Sequence, residues 1–418
     1  MKIAIIGFGQ RGTMYAENAI RNGAKLAAVV DTDQKKLDKA KELFGLTDEV
    51  CFSDCDSFFE RGKIVDAVVI STLDKLHYDI AMRALDLRYP LLLEKPISID
   101  PVECMNIRDK AMKLGVPVTV AHVLRYTSFF KKIKEIIDSG EIGKIVTIQH
   151  NENIGNFHMA HSFVRGNWRR SEDTAPIMLT KSCHDLDILI WLTDSIPESV
   201  ASFGDLRYFK KENAPSQSAE RCIDCPVSGE CRFDARRAYL PSIGHWPATV
   251  LTLDQTEEGL MKAIKEGPYG QCVFKCDNDV CDHQVSIIRF KNGVTATFNL
   301  SGFTNRFCRT LKIMCEDGEI RANMDLNLVE VIHFSPNKAE DYGSVTYHIA
   351  APTEGHGGGD MAFVKTYVEN FELNKGMSSA IEQSVASHIL AFAAEKARLT
   401  NSVVNLDSFE DQIGKGKL

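Results

Sequence analysis

Short apolar runs alternate with longer amphipathic stretches through the first 120 or so residues. KIAIIG (2–7), KLAAVVD (25–31), VDAVVIST (65–72), PLLLEKP (90–96) and VPVTVAH (116–122) read as strands. Between them GTMYAENAIRNG (12–23), DQKKLDKAKELFG (33–45), KLHYDIAMRALDL (75–87) and DPVECMNIRDKAMKLG (100–115) carry helical spacing, three of them ended by glycine. Apolar strands alternating with helices predict a parallel sheet covered on both faces. After residue 123 the pattern changes. SFFKKIKEIIDSG (128–140) predicts a helix, KIVTIQHNEN (144–153) an alternating strand, and residues 178–193 another helix. Period-two strands cluster between 283 and 349, with Asn292-Gly293 as a hairpin turn. They predict an antiparallel sheet with a polar, ligand-sized face. Helices near 360–373 and 378–400 follow.

This pattern predicts an α/β protein of two domains. A doubly wound Rossmann domain spans 1–122, and an α+β domain with an open, mainly antiparallel sheet spans 123–418. A segment rich in Cys, Pro and Gly, about 209–281, interrupts the second. A chain of 418 residues with 44% apolar and 25% charged positions has ample material for cores of this kind.

A net charge of −8 without a basic run argues against nucleic acid and against an anionic membrane surface as partners. No apolar run approaches the roughly 20 residues that span a bilayer. MKIAIIGFGQRG reads as strand and turn from its start, so no secretory leader is expected. The cytoplasm is therefore the expected compartment. There the twelve cysteines stay reduced or bind metal, and the Asn299-Leu300-Ser301 sequon is without meaning.

Gly7-Phe8-Gly9-Gln10-Arg11-Gly12 fits G-x-G-x-x-G between a strand and a helix. Gly7 permits the turn, Gly9 leaves room for a pyrophosphate, and Gly12 lets helix and strand approach. Helix N-terminal N–H groups then face the anion. Asp31 ends the second strand, where a carboxylate accepts hydrogen bonds from ribose hydroxyls and repels a 2′-phosphate. The cofactor expected is NAD rather than NADP.

Glu94-Lys95-Pro96 ends a buried strand, at the edge of the sheet where ligands bind in open α/β folds. An ammonium there can bond a substrate hydroxyl and stabilise a developing alkoxide, with Glu94 orienting it. An ordinary surface ion pair accounts for the spacing equally well.

With GFGQRG, VVD, STLDKLHYDIAMRAL and LLLEKP together, the chain resembles the glucose–fructose oxidoreductase, inositol dehydrogenase and MocA family, over nearly its whole length. The resemblance implies that Lys95 is catalytic and touches substrate and nicotinamide. It places Ser71, Thr72, His77 and Glu94 with the glycine loop around the cofactor, and Arg125 and Tyr126 in the cleft.

LTKSCHDLDILIWL (179–192) begins a helix with polar residues, and the spacing of Lys181, His184 and Asp187 puts them on one face. The helix dipole lowers the pKa of a histidine near the N-terminus, and a neutral imidazole can take a hydroxyl proton as hydride leaves. A capped, solvated first turn is the alternative for these residues alone. The resemblance implies that His184 is the active-site base. Many relatives carry an Asp four residues earlier, where this chain has Thr180, so Lys181 is expected to supply charge there, beside Lys95. Cys183 is read as packing.

His150, Glu152, His158, His161, Arg165 and Trp168 precede this helix. Their types suit a metal or a sugar pocket, and the sugar pocket is preferred. His356, in the glycine loop HGGGD (356–360), is expected to face the same cleft. In the insertion, Cys222, Cys225 and Cys231 include a C-x2-C knuckle. Cys272, Cys276 and Cys281 are candidates for a fourth ligand, and Cys272 is chosen. GPYGQCVF resembles a subgroup of the family with a similar cysteine pattern. A structural zinc is expected, with an iron–sulfur cluster next and reduced thiols as the alternative.

The reading is an NAD-dependent oxidoreductase acting on a hydroxyl of a sugar, sugar derivative or cyclitol. The alternatives are a redox-neutral glycoside hydrolase working by transient oxidation and elimination, and a non-catalytic sugar or dinucleotide sensor. A homodimer or homotetramer is expected, because an open sheet leaves an apolar face to cover.

Overall fold

The computed structural model describes residues 1–337, 343–351 and 355–416. Six parallel strands form the first sheet: β1 (Lys2–Ile6), β2 (Lys25–Val30), β3 (Cys51–Phe52), β4 (Ala67–Ile70), β5 (Leu91–Leu93) and β6 (Val118–Val120). Their order, 3-2-1-4-5-6, is that of the doubly wound dinucleotide fold. β4, β5 and β6 are buried along their whole length because helices cover both faces. Local chemistry sets the helix ends. Asp100 caps Pro101–Leu114 by accepting from Val102 N and Glu103 N, and Gly115 closes that helix in the left-handed conformation.

The glycine loop packs as its spacing predicts. A Cβ on Gly7 (φ +91°) would lie 2.7 Å from the backbone of Ser71 and Thr72, and one on Gly12 would lie 2.2 Å from the Gly7 carbonyl oxygen. Gly9 has nothing within 4 Å of its Cβ position.

The second sheet has nine strands: β7 (Ile145–Asn153), β8 (Pro197–Asp205), β9 (His283–Phe290), β10 (Thr295–Ser301), β11 (Cys308–Cys315), β12 (Gly318–Asn323), β13 (Leu328–His333), β14 (Ser344–His348) and β15 (Val404–Asn405). Their order is 14-13-12-11-7-10-9-8-15, antiparallel except where β7 meets β10. Asn292-Gly293 turns β9 into β10, with Gly293 at φ +89°. One face is packed: Ile288, Phe290, Phe298 and Ile313 are buried on it, and so are His150, Glu152, Gln284, Ser286 and Arg309. The polar positions expected on this sheet are thus present, but buried rather than open to the cleft cavity. The opposite face is exposed and carries Phe203, Val285 and Ile287.

Three further features depart from the sequence pattern. The helix expected over 178–193 is broken into Ile177–Thr180 and Cys183–Thr193. In an unbroken helix the Thr180 carbonyl would accept from residue 184; here it accepts from Lys95 Nζ at 3.0 Å. The insertion between β8 and β9 has a small core of its own, including Tyr239, Leu260, Ile264 and Tyr269. A last helix, Leu406–Gly414, follows the two that the pattern predicts at Gly359–Glu372 and Ile381–Thr400.

The chain returns to the first domain before Ile381–Thr400. Val120 N donates to Ser379 O at 2.9 Å and Thr119 bridges Ala380, which covers the β6 edge. No helix among the described residues is long and apolar enough to cross a membrane.

The glycine geometry separates two substitutions. Gly12→Ala, which forces a methyl onto backbone, is expected to lower stability by about 1–3 kcal/mol. Gly9→Ala is expected to stay within about 0.5 kcal/mol of the parent. Urea unfolding of both variants checks this, and equal losses would contradict the packing described.

Candidate active site

A cavity of about 470 Å³ opens at the carboxyl ends of the first sheet's strands. Arg11, Ser71, Thr72, Glu94 and Lys95 reach it from the first domain, and His158, Trp168, Lys181, His184 and His356 from the second. These ten side chains come from loops and helix ends far apart in sequence. Only the folded chain gathers them.

On the cofactor side, Gly9 begins the helix Gln10–Arg21 without a side-chain cap, so the first N–H groups face open space. The Asp31 carboxylate accepts from Phe8 N at 2.7 Å and from Asp33 N at 2.9 Å, with Lys36 Nζ at 3.3 Å. Two backbone donors fix the carboxylate and leave it acceptor capacity for hydroxyls. Ser71 Oγ donates to Gly7 O at 2.8 Å and braces the loop. These features fit a dinucleotide. The open side of Gly9 and the fixed acid stand where pyrophosphate and ribose need them. Gln10, by contrast, turns to Thr249 Oγ1 at 3.2 Å in the insertion.

Glu94 does not pair with the Lys95 ammonium, contrary to the orienting role expected from the sequence; Lys95 Nζ donates to Thr180 O instead. Its carboxylate accepts from Tyr15 Oη at 2.6 Å, from Arg11 Nε and from Lys95 N at 3.0 Å. Burial alone would raise the Glu94 pKa, but the charges of Arg11 and then Lys95 hold it below the usual value. Arg11 continues to Asp360 at 2.8 Å, and Asp360 takes His356 Nδ1 at 2.8 Å. Arg11 is thus a clamp between the lobes. The Lys95–Pro96 peptide is cis. His77, placed at the cofactor by resemblance, is corrected: it lies buried behind this turn and its Nδ1 donates to Pro96 O at 2.8 Å.

His184 is 4% exposed, and neither ring nitrogen has a hydrogen-bond partner among the described residues. Burial, and then the charge of Lys95, push its pKa well below the ordinary 6.5. The imidazole is neutral for this reason more than for the helix dipole invoked from sequence. Lys181 Nζ lies 3.2 Å from Glu152 and over the ring of Phe307 at 4.4 Å. Its pKa is lowered by burial, against the pull of Glu152. Lys181 closes the short helix before the break, so the shared face drawn through Lys181, His184 and Asp187 is corrected. Lys181 and His184 still reach one cavity, while Asp187 points away.

Asp187 accepts a buried pair of hydrogen bonds from Arg125, Nε to Oδ2 and Nη2 to Oδ1, both at 2.6 Å. Arg125 also donates to Ser378 O, and the Tyr126 hydroxyl meets Ser379 Oγ at 3.2 Å. These residues tie the second domain's first turn to the returning chain and do not line the cleft cavity. Four more expected substrate contacts are interior as well. His150 bonds Asp185 at 2.7 Å and Glu152 pairs with Arg309 at 2.8 Å and with Lys181. His161 and Arg165 face the insertion, on Tyr239 and Cys222. His158, Trp168 and His356 line the cavity. Burial lowers the pKa of His158 well below the ordinary value, followed by the charge of Lys181.

Sequence reading missed Asp74, Asp185, Arg309 and Asp360. Asp74 accepts from Trp168 Nε1 at 3.2 Å across the cleft, and burial raises its pKa. Arg309 grips Asp185 at 2.7 and 3.0 Å. The available signal was an arginine at an inward position of an alternating strand, which requires a buried acid. The expected zinc is not supported. Cys222, Cys225, Cys231 and Cys272 do line one cavity. Among the described residues, however, no three His, Cys, Asp or Glu gather closely enough to hold an ion, whereas zinc needs four donors within about 2.3 Å of one point.

Comparison with known proteins agrees with this architecture. A family model described as an oxidoreductase family with an NAD-binding Rossmann fold matches residues 1–122, and a GFO/IDH/MocA C-terminal domain model matches 130–321. The oxidoreductase-family protein YteT of Bacillus subtilis (strain 168) is 24% identical over 352 residues, 80% of each chain. An inositol 2-dehydrogenase of Arthrobacter sp. (strain FB24) is 31% identical over 153 residues, 36% of this chain and 44% of that one. The scyllo-inositol dehydrogenase of Lactobacillus casei, solved with NAD(H) and scyllo-inositol, superposes with a TM-score of 0.67 at 20% identity, covering 97% of this chain and 99% of that one. A levoglucosan dehydrogenase solved with NADH and levoglucosan gives 0.73 at 16% identity, with 97% and 99% covered. The paired domains, the glycine loop and the Glu94-Lys95-Pro96 strand end thus belong together, and the chain is a member of the Gfo/Idh/MocA oxidoreductase family.

Proposed function

We propose that the protein oxidises a secondary hydroxyl of a sugar, sugar derivative or cyclitol, with NAD as hydride acceptor. One observation carries this reading. Lys95 and an unpartnered, neutral His184 come from different domains and line one cavity next to the glycine loop. The names of the inositol and levoglucosan dehydrogenases support the substrate class.

Gly7, Gly9, Gly12 and Asp31 would hold the dinucleotide, with Ser71 and Thr72 along its path into the cleft. When bound, the nicotinamide supplies a carbon that accepts hydride. The Lys95 ammonium holds the substrate oxygen, and its charge favours the alkoxide. The His184 imidazole takes the hydroxyl proton, which a neutral ring can do and an imidazolium cannot. Lys181, kept in place by Glu152, adds a second cation at the same oxygen or at its neighbour. Trp168 offers a ring face to sugar C–H groups, while Asp74 and His158 offer bonds to hydroxyls. Cytoplasmic residence is supported by twelve unpaired cysteines. Self-association through the outer face of the second sheet is supported by exposed Phe203 and Val285, which sit in register on β8 and β9, with Ile287 beside them.

The test is a panel of sugars, glycosides and cyclitols with purified protein and NAD. Net NADH supports the dehydrogenase. Sugar release without net NADH would replace it with the redox-neutral hydrolase, and binding without turnover with the sensor. With an accepted substrate, Lys95→Met and His184→Asn are each expected to lower kcat by about 10²–10⁴-fold. Gly9→Ala is expected to weaken NAD binding at least about tenfold, measured by fluorescence titration.

The pH dependence has a definite sign. His184 titrates below its ordinary 6.5, so the base is already deprotonated at 6.5 and is lost only on further acidification. The acid limb of kcat/KM is therefore expected below pH 6.5. A midpoint at or above that value, absent in His184→Asn, would contradict the role given to burial.

A further inference from the structure

Open space beside the reacting groups continues past the cleft. A second cavity, of about 240 Å³, lies against Phe307 and is lined also by Ser128, Phe129, Arg309 and Asn327. Two pieces of chain divide it from the cleft. One is the Phe307 ring. The Lys181 ammonium lies over it at 4.4 Å and the His158 ring stands 5.6 Å away, and both of those residues line the cleft. The other is the turn His356-Gly357, whose first residue lines the cleft and whose second lines the neighbouring cavity. Phe307 is 42% exposed, so its outer edge is not sealed by protein.

Two other sides of the cleft are walled. Trp246 of the insertion stands edge-on to His158 at 5.4 Å and to His161 at 5.3 Å between centroids. Trp168 donates to Asp74 at 3.2 Å and so bridges the two domains. The cleft's own space must take both the nicotinamide and the sugar that reacts with it. A substrate longer than one ring, held at Lys95 and His184, therefore continues past Lys181 and over Phe307.

The lining decides what fits there. Phe307 and Phe129 offer aromatic surface, Asn327 an amide and Ser128 a hydroxyl. Arg309 and Lys181 bring two positive charges, which Asp185 and Glu152 offset. Asp325, also on the lining, pairs with Arg306 at 3.3 Å. No unbalanced cation awaits a phosphate or a carboxylate. Aromatic surface beside uncharged donors and acceptors suits a neutral ring with apolar C–H faces and hydroxyl edges. We propose that the cavity beside Phe307 is a second sugar subsite, and that the substrate is a disaccharide, one ring of which is oxidised while the next is held there. The assignment rests on the oxidoreductase reading for the position of the reacting ring.

The experiment measures binding by calorimetry on the full chain, with NADH in place of NAD so that no turnover accompanies it. The probes are matched pairs of a monosaccharide and its disaccharide in the gluco, galacto, manno and xylo series. In at least one pair the disaccharide is expected to bind about tenfold tighter or more. Ser128→Trp, which sets a large ring at the cavity wall, and Phe307→Ala, which removes the aromatic surface, are each expected to cut that preference below about threefold. The absence of such a preference in every pair would overturn the subsite, as would a preference that survives both substitutions. The parent protein's preference decides the question even if neither variant folds. The same pairs are then followed for NADH formation with NAD. Tighter disaccharide binding without NADH from any pair would refute the oxidation and leave the subsite standing. NADH formation without a disaccharide preference would do the reverse.

Discussion

The buried carboxylate of Glu94 is the junction on which the site depends. It sits at the end of β5, almost out of water, and would be costly there without partners. Tyr15 and Arg11, both on the helix that follows the glycine loop, satisfy it, and so does the N–H of Lys95. That fixes the strand end that carries the ammonium relative to the loop that would carry the cofactor. Arg11 then reaches Asp360 in the second domain, and Asp360 holds His356. Three pieces of chain are set by one chain of charge-assisted bonds, which are stronger and more directional than neutral ones.

A second buried set positions the opposite wall. Arg309 spans Asp185 and Glu152; His150 bonds Asp185; Lys181 pairs with Glu152. Two acids and two cations nearly balance, so the group can stay out of water. Its outermost member, Lys181, faces the cleft. His184 belongs to the same helix as Asp185 yet joins none of these bonds, which leaves both its nitrogens free of protein partners. Its neighbours are rings: His122 at 5.8 Å and His356 at 5.9 Å between centroids. Surroundings of that kind desolvate an imidazole without giving it a counter-ion, and so keep it uncharged at neutral pH.

Legibility in the sequence followed the range of the interaction. The Rossmann half was readable because each of its signals is local: a glycine that must avoid a clash with neighbouring backbone, an acid at a strand end, an aspartate cap, a strand uniformly apolar. Lys95 and His184 were legible through short motifs. The roles of Arg125, Asp187, His150 and Glu152 were not. Their residue types suit a polar cleft, but each found a buried partner far along the chain, and a pairing between β-strand and helix leaves no trace in spacing. The broken helix at Lys181 is similar. The run 178–193 has helical composition throughout, and the break exists where Lys95 takes the Thr180 carbonyl.

What the chain by itself determined, then, is the alternation of elements, the glycine turn with its acid, and the identity of the two groups best suited to hydride chemistry. Period and steric demand act within a few residues, so they are written in the order of residues. Only the tertiary structure decided which polar side chains face the cleft and which neutralise one another inside. It also decided that the insertion carries a core of its own and that four cysteines line one cavity with a buried arginine. Those outcomes depend on which charges meet when two domains close, and burial makes each such meeting obligatory without announcing it in advance.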